Sequence, residues 1–534
     1  MNSAAVSAIV RQATDLCSVG EFGRALTLAR EAIALAPGQA APHLIAGVCA
    51  AALGQKAAAE SHYRRAIARN PKLASAHSNL GLLLAGLGRN DEAEECYRRA
   101  IGLAPASAEA YTNLGLLLAA ANRDGEAEAC QRQALTLKPM SQEIHSNLAN
   151  LLAKMGRELE AEEYYRRAIQ LAPTGPVAHA NLGALLANLG RDDESEQCFR
   201  RAIALRPGYP LARQNLGYLL LAQGRFDEGW LLHEARYDRG LPDAATIPPA
   251  VAYPQWRGEP LAGKSVLVWP EQGYGDEIQF CRFLPALKAR GAGPITLACK
   301  GPLQPLLATL AGADHVVAME AGAQALPVHD FWTLPMSFPL NCPEPGSGGT
   351  IPYLHALPER MARWAPKLPA RGFRVGLAWR GNARNPNDAD RSLPALSVLA
   401  PLWSVPGTVF VSLQKGLGEE EAARSPPGQP LEPLGSEMAD FADTAAIVAQ
   451  LDLVICVDTA LAHVTGALGK PCWVLLPAYQ TDWRWLKERG DTPWYPSLRL
   501  FRQRRRGCWP PVVEEVRTAL QALIGGPSPV FKRD

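Results

Sequence analysis

At 534 residues, and with roughly 100 to 200 residues per domain, the chain holds about two to four units, which excludes a single small domain. Its 48% hydrophobic and 20% charged residues exclude a disordered chain, and Lys+Arg 54 against Asp+Glu 52 leaves a formal charge of +2, with no bulk pull toward nucleic acid or anionic membrane. Apolar runs stop short of the roughly 18 to 20 residues of a membrane span, and Arg11 and Asp15 stand where an export signal would carry its apolar stretch, so a soluble, unexported, cytoplasmic protein without a transmembrane segment is expected.

Prolines at 37, 71, 105, 139, 173 and 207 are spaced 34 residues apart, and this period organises the first 240 residues. Ala66, Ala100, Ala134, Ala168 and Ala202 precede five of these prolines at a fixed distance. Gly47, Gly81, Gly115, Gly183 and Gly217 mark an earlier helix of the unit. Small residues let helices approach, while Tyr63, Tyr97, Tyr165 and Phe199 supply a large residue that is expected to fill the gap between neighbouring helix pairs. The frame resembles the tetratricopeptide repeat over residues 6–239, with six full units and a seventh partial one ending near Trp230. Such hairpins stack into an α-solenoid with a concave groove. Cys96, Cys130 and Cys198, 34 and 68 residues apart, share one position of this repeat. The eleven cysteines include no CxxC pair and no metal-ligand spacing, so reduced thiols and no metal are expected.

Asn79, Asn113, Asn147, Asn181 and Asn215 occupy one position of five successive units. Two roles fit an amide ladder there. It can grip a polypeptide backbone whatever the side chains, or it can cap and bridge neighbouring helices. A comparable asparagine ladder belongs to the repeats of the O-linked N-acetylglucosamine transferase family, and that resemblance implies an acceptor polypeptide or partner protein in the groove.

The composition changes near residue 240: all twelve tryptophans lie at or after Trp230, and 35 of the 44 prolines follow residue 240. Residues 240–262 read as a linker rich in Pro and Gly. Short apolar runs at 265–269, 294–299, 373–379, 408–413, 452–457 and 472–476 then alternate with helical stretches at about 277–290, 302–311 and 356–367. That rhythm predicts parallel α/β units in two Rossmann-like domains, 263–355 and 372–525, joined by a connector at 356–371. The first is shortened, with only about 90 residues before the connector.

Ligands of open α/β sheets sit beyond the carboxyl ends of the strands, so the residues after each run are the candidates. Gly275 and Asp276 follow the first run, Arg380 the third, and Gln414 with Lys415 the fourth; Asp458, Thr459 and Ala460 follow the fifth, with His463 one helical turn beyond. Cations and a helix start at converging strand ends suit a diphosphate. Each also has a plainer use: Asp276 and Asp458 as helix caps, Arg380, Gln414 and Lys415 in a solvated loop, His463 on a helix face. The basic run 502–506 reads as a solvated face, and Trp483, Trp485, Trp494 and Tyr495 serve either packing or stacking on a base or sugar.

The stretches GYGDEIQF and VDTALAHVTGALGKPCWVLLP resemble the motifs of GT-B glycosyltransferases of the ADP-heptosyltransferase type. With the repeats and the stretches DFADTAA, DWRW and PWYPSLRLFRQ, residues 6–525 resemble the bacterial tetratricopeptide-repeat glycosyltransferases. The resemblance implies Asp276 as the base that deprotonates the acceptor hydroxyl. It implies Asp458, Thr459, Ala460 and His463 as the segment holding the donor diphosphate, and Arg391 as a basic residue for the phosphate. Ala460 stands where the family usually has Gly. The expected function is transfer of a sugar from a nucleotide diphosphate sugar to a hydroxyl of a protein or cell-envelope glycan, with no cofactor beyond that donor. The alternative is a repeat scaffold whose transferase domain only binds.

Overall fold

The computed structural model describes residues 3–238, 240–241, 246–319, 326–342, 350–385, 387–424 and 431–525. They fall into two compact units, Met1–Pro207 and Gly208–Asp534. The first unit is six helical hairpins: α1 (Ser3–Ser18) with α2 (Phe22–Leu35), α3 (Ala40–Ala52) with α4 (Lys56–Arg69), α5 (Ala74–Ala85) with α6 (Asn90–Leu103), α7 (Ala108–Ala120) with α8 (Asp124–Leu137), α9 (Gln142–Lys154) with α10 (Glu158–Leu171), and α11 (Pro176–Asn188) with α12 (Asp192–Leu205).

Each hairpin turns on one left-handed residue. Gly20, Gly54, Gly88, Gly156 and Gly190 have φ between 73° and 80°, and Asn122, φ 58°, takes the equivalent place in the fourth hairpin. The glycines of the first helices explain the large residues. A Cβ on Gly47 would lie 2.5 Å from the Tyr63 ring, one on Gly81 2.9 Å from Tyr97, and one on Gly183 2.9 Å from Phe199. The aromatic residues thus fill the gap inside a hairpin, not the gap between pairs that the sequence suggests. Gln131 takes this place against Gly115, and its Nε2 donates to the Thr112 carbonyl at 3.1 Å.

The second helices carry a charge pattern at the same period. Glu60 accepts from Arg64 at 2.9 Å and from Arg89 at 2.8 Å, and Arg89 also pairs with Glu92. The set recurs as Glu94, Arg98, Arg123 and Glu126, then as Glu128, Arg132, Arg157 and Glu160, then as Glu162, Arg166, Arg191 and Glu194. Each exposed pair contributes about 0.2–1 kcal/mol, so the value lies in a network that fixes one hairpin against the next.

The second unit opens with a seventh hairpin, α13 (Pro210–Ala222) and α14 (Phe226–His233). Contacts place it with the α/β body rather than with the superhelix expected over 6–239, and the reason is burial. Trp230 meets Phe280 and Trp483 edge-on at 5.8 and 5.2 Å, and Phe226 meets Trp494 at 5.7 Å. Arg236, in the turn after α14, is ion-paired with Glu271, and both side chains are buried. Residues 246–262 of the expected linker are ordered: the Trp256 backbone N–H donates to the Trp332 carbonyl at 2.7 Å, its indole N–H donates to the Glu259 carbonyl at 2.8 Å, and Trp256 is buried.

The body holds two all-parallel sheets. The first has β1 (Val266–Val268), β2 (Ile295–Cys299), β3 (His315–Ala318) and β4 (Phe331–Thr333) in the order β3-β2-β1-β4. Its helices are α15 (Tyr274–Phe280), α16 (Leu284–Ala289), α17 (Gln304–Leu307) and α18 (Phe338–Asn341). The helix expected over 277–290 starts three residues earlier and breaks into α15, a 3-10 turn at Cys281–Phe283, and α16, which has Pro285 in its first turn. Pro302 and Pro305 shorten the one expected over 302–311 in the same way.

After α19 (Pro358–Trp364) comes the second sheet: β5 (Phe373–Ala378), β6 (Thr408–Ser412), β7 (Leu431–Pro433), β8 (Leu453–Val457), β9 (Cys472–Leu476) and β10 (Leu498–Arg502). Its order is β7-β6-β5-β8-β9-β10. This is the doubly wound order, in which the chain reverses direction across the sheet between β5 and β8. The helices are α20 (Asp388–Arg391), α21 (Glu419–Ala423), α22 (Phe441–Val448), α23 (Ala460–Ala467) and α24 (Pro510–Gly525). No helix among the described residues is long and apolar enough to cross a membrane.

Candidate functional site

Two turns, one from each sheet, meet in the second unit. After β1, Gly273 caps α15, so Asp276 stands at the third helical position and not ahead of a helix. Its Oδ2 accepts the Gly273 N–H at 2.7 Å, and its Oδ1 is ion-paired with Nη2 of Arg484. Gly275 faces α23 with no room for a side chain. A Cβ there would lie 2.8 Å from Cδ2 of His463 and 3.7 Å from the Ala460 Cα. This close approach puts Gly275, Asp276, Ala460 and His463 in one place.

On the other side, Asp458 and Thr459 leave β8 at the switch between β5 and β8. Thr459 is the cap residue of α23, yet its side chain makes no capping bond and its Oγ1 is buried without a partner. The Ala462 N–H donates to the Thr459 carbonyl at 3.0 Å, and the amides of Ala460 and Leu461 before it are left to a ligand or solvent. Burial, and after it the Asp482 carboxylate, push the Asp458 carboxyl up to about 6, with Arg391 and Arg484 pulling the other way. His463 is buried, with Nδ1 3.1 Å from the Tyr495 hydroxyl and its ring stacked on Trp485 at 5.4 Å. Burial, then Arg484 and Arg282, hold its pKa well below the usual range. A neutral imidazole offers a hydrogen bond there and no charge.

The ends of β5 and β6 are tied differently. Gln414 Oε1 accepts the N–H groups of Trp379 and Arg380, both at 2.9 Å, while Nε2 donates to the carbonyls of Arg380 and Leu417 at 3.1 and 2.8 Å. Its amide clamps the β5 turn. Lys415 Nζ donates to the Met438 carbonyl at 2.6 Å, and Arg380 reaches Glu421 at 3.1 Å and the Pro394 carbonyl. Arg391 closes α20, 3.4 Å from Asp388, with its charge felt at Asp458. A cavity of about 320 Å³ opens at the ends of β6 and β7, lined by Ser412, Gln414, Glu419, Glu420 and Gly435 among others. Among the described residues no three of His, Cys, Asp and Glu form a metal-ligating group.

Sequence reasoning passed over Arg484 and Asp482. Arg484 donates from Nη1 to both Asp482 oxygens at 3.0 and 3.1 Å and from Nε to Gln279 at 2.8 Å, and its guanidinium lies 4.2 Å from the centre of the Trp483 ring. Burial works against this cation, and the Asp482 and Asp276 carboxylates outweigh it, raising its pKa. The available signal was a lone cation between two tryptophans, two residues after an aspartate. Trp483, Trp485, Trp494 and Tyr495 are all buried, which assigns them to packing. In the basic run, Arg506 pairs with Asp390 at 2.7 Å and Arg502 donates to the carbonyls of Trp485 and Leu486.

Asparagines of the ladder lie on the first helices, which touch in succession from α3 to α11. Asn79, Asn113, Asn147 and Asn181 are half-buried on them. Nδ2 of Asn147 is buried without a partner, whereas Asn181 donates to Asn150 Oδ1 at 3.1 Å, a bridge between neighbouring hairpins. Asn215 is on α13 in the second unit.

Family models described as tetratricopeptide repeat match residues 10–74, 72–139, 142–174 and 176–209, and the model described as glycosyltransferase family 9 (heptosyltransferase) matches residues 408–514. The chain joins tetratricopeptide repeats to a family 9 glycosyltransferase segment. That segment supports a sugar-transferase function. Protein FlbA of Caulobacter vibrioides is 33% identical over 321 residues, covering 55% of this chain and 52% of FlbA, so the chain spans about half the length of the curated relative it matches. Among solved structures, pilF of Pseudomonas aeruginosa is 21% identical with a TM-score of 0.36, over 39% of this chain and 96% of that one. PilW, a type IV pilus biogenesis factor, is 18% identical with a TM-score of 0.38, over 40% of this chain and all of its own.

Proposed function

We propose that the second unit transfers a sugar from a nucleoside diphosphate sugar to an acceptor hydroxyl, and that the repeats recruit the acceptor polypeptide or a partner. The observation that carries this reading is the meeting of the uncapped start of α23 with Gly275 and Asp276 at the switch point of a doubly wound sheet. The donor diphosphate sits on the amides of α23, with Thr459 Oγ1 and the His463 ring as hydrogen-bonding groups and Arg391 as counter-charge. The cavity at the ends of β6 and β7 gives room for the nucleoside. In the reaction the acceptor O–H loses its proton to Asp276, its oxygen bonds the anomeric carbon, and the bond from that carbon to the phosphate oxygen breaks. The electron pair leaves on the nucleoside diphosphate. The asparagine ladder holds the acceptor backbone.

A thermal-unfolding screen against ADP, GDP, UDP and CDP and their sugar conjugates tests this. One nucleotide class should raise the midpoint, because a ligand bound only by the native state stabilises it, and the matching sugar conjugate should be turned over. If none of them shifts the midpoint, the donor reading is wrong. The engagement of both Asp276 oxygens favours a second reading, a binding scaffold; a nucleotide-dependent shift with no turnover of any conjugate would support it.

A further inference from the structure

Arg484 has ties of two kinds. Nη1 on Asp482, Nε on Gln279 and the guanidinium plane on Trp483 fix where the cation sits, and all three survive if Nη2 lets go of its partner. Nη2 makes the link to Asp276, reaching from the second sheet's side of the site to the first. The cation is not merely structural filling. Its charge reaches Asp458, the residue before the uncapped start of α23, and Arg391 is the other arginine whose charge does so. Beside it Thr459 Oγ1 is buried without a partner. Arg484 thus serves the carboxyls of Asp276, Asp482 and Asp458, with Arg391 acting on Asp458 as well, and a diphosphate entering this place adds further negative charge.

Resting on the transferase reading, we propose that Arg484 is a ligand of the donor diphosphate that Asp276 holds in the absence of donor. When the diphosphate enters, the Nη2 edge exchanges the Asp276 carboxylate for a phosphate oxygen, one charge-assisted hydrogen bond for another. Asp482 and Gln279 keep the guanidinium in place during the exchange. The freed Asp276 oxygen then faces the acceptor hydroxyl. The base becomes available only with donor bound, which orders the reaction: donor first, acceptor second.

Calorimetry on the full chain with ADP, GDP, UDP and CDP, each beside its nucleoside, tests the exchange. For the diphosphate that the wild type binds, Arg484→Gln should weaken affinity about tenfold or more, the loss expected for a charge-assisted bond, with the nucleoside unaffected. Arg484→Lys should fall between. Asp276→Asn, which keeps an oxygen for the Gly273 N–H, should tighten diphosphate binding several-fold because the arginine no longer has to leave a carboxylate. That gain should vanish in the Asp276→Asn/Arg484→Gln double variant. Equal diphosphate affinity in wild type and Arg484→Gln, no tightening in Asp276→Asn, or tightening that persists in the double variant overturns the proposal and leaves the donor reading standing. Should Arg484→Gln fail to fold, Arg484→Lys and Asp276→Asn still decide. Failure of the wild type to bind any of the four diphosphates overturns the donor reading and this inference together.

Discussion

Asp458 leaves β8 with a carboxyl pushed up to about 6 from 3.8, by burial and then by Asp482. A carboxyl with a raised folded pKa binds more protons in the folded than in the unfolded state between those two values, so its favourable contribution is complete below about pH 4 and lost as the pH rises through about 6. Asp458→Asn removes this dependence. The melting midpoint of the variant minus that of wild type should therefore climb between pH 4 and pH 7, measured without nucleotide; a difference that stays flat over that range would show that the neighbouring arginines fully compensate the charge. At this scale the sequence was informative where a residue follows a strand. Asp276, Asp458, Thr459 and His463 stand where strand ends put them, because a run of apolar residues followed by Gly-Asp or Asp-Thr is a local pattern. Arg484 was legible at most through Asp482 two residues before it: its ties across the site, to Asp276 and Gln279, span more than 200 residues, and no local spacing records them. Gln414 and Lys415 were legible as strand-end residues but not as clamps on backbone carbonyls and amides, since only the fold shows which loop they face.

Helices of the repeat array were readable because one period carries three signals at once: a proline, an alanine at a fixed distance before it, and a small-against-large pair. Strands β3, β4 and β7 escaped, being three or four residues long in stretches without sustained apolar alternation, and β10 was hidden by its arginines at 499 and 502. The ladder belongs to this scale. Asn79 and Asn113 make no side-chain hydrogen bond among the described residues, and Asn147 keeps a buried Nδ2 unused, so the three are spare in the free array. Replacing them together by Ala should leave the melting midpoint within a few degrees. It should weaken an acceptor polypeptide by about tenfold or more, at about 0.5–1.5 kcal/mol for each backbone hydrogen bond lost. Anisotropy of a labelled acceptor peptide reads the second quantity. A triple variant that melts far lower but binds normally would make the ladder a helix bridge, the role already visible in Asn181 and Asn150.

For the molecule as a whole, the period of the sequence and the packing of the structure draw the boundary in different places. The repeat frame runs on to Trp230, while the second compact unit begins at Gly208. The difference follows from what the seventh hairpin buries. Leu221, Ala222 and Trp230 join one core with Val266, Phe280, Trp483 and Trp494, and Arg236 supplies the charge that Glu271, fully buried, requires. Glu271 also accepts the Met336 N–H at 3.1 Å, so the pair ties β1 to the end of β4 as well as to the hairpin. Removing one partner of such a pair costs about 3–5 kcal/mol, and loss of a buried tryptophan about as much. Together these approach the whole stability of a domain, about 5–15 kcal/mol. A fragment that starts at Gly208 should accordingly unfold in one cooperative transition, whereas one that starts at Gly240 should show none. Two full-chain variants separate the causes. Trp230→Ala should lower the midpoint by several degrees, and Arg236→Met should lower it more than the double variant Arg236→Met/Glu271→Gln, in which the stranded charge is gone. A Gly240 fragment that melts cooperatively at the Gly208 fragment's midpoint would return the seventh hairpin to the repeat array and leave the α/β body complete without it.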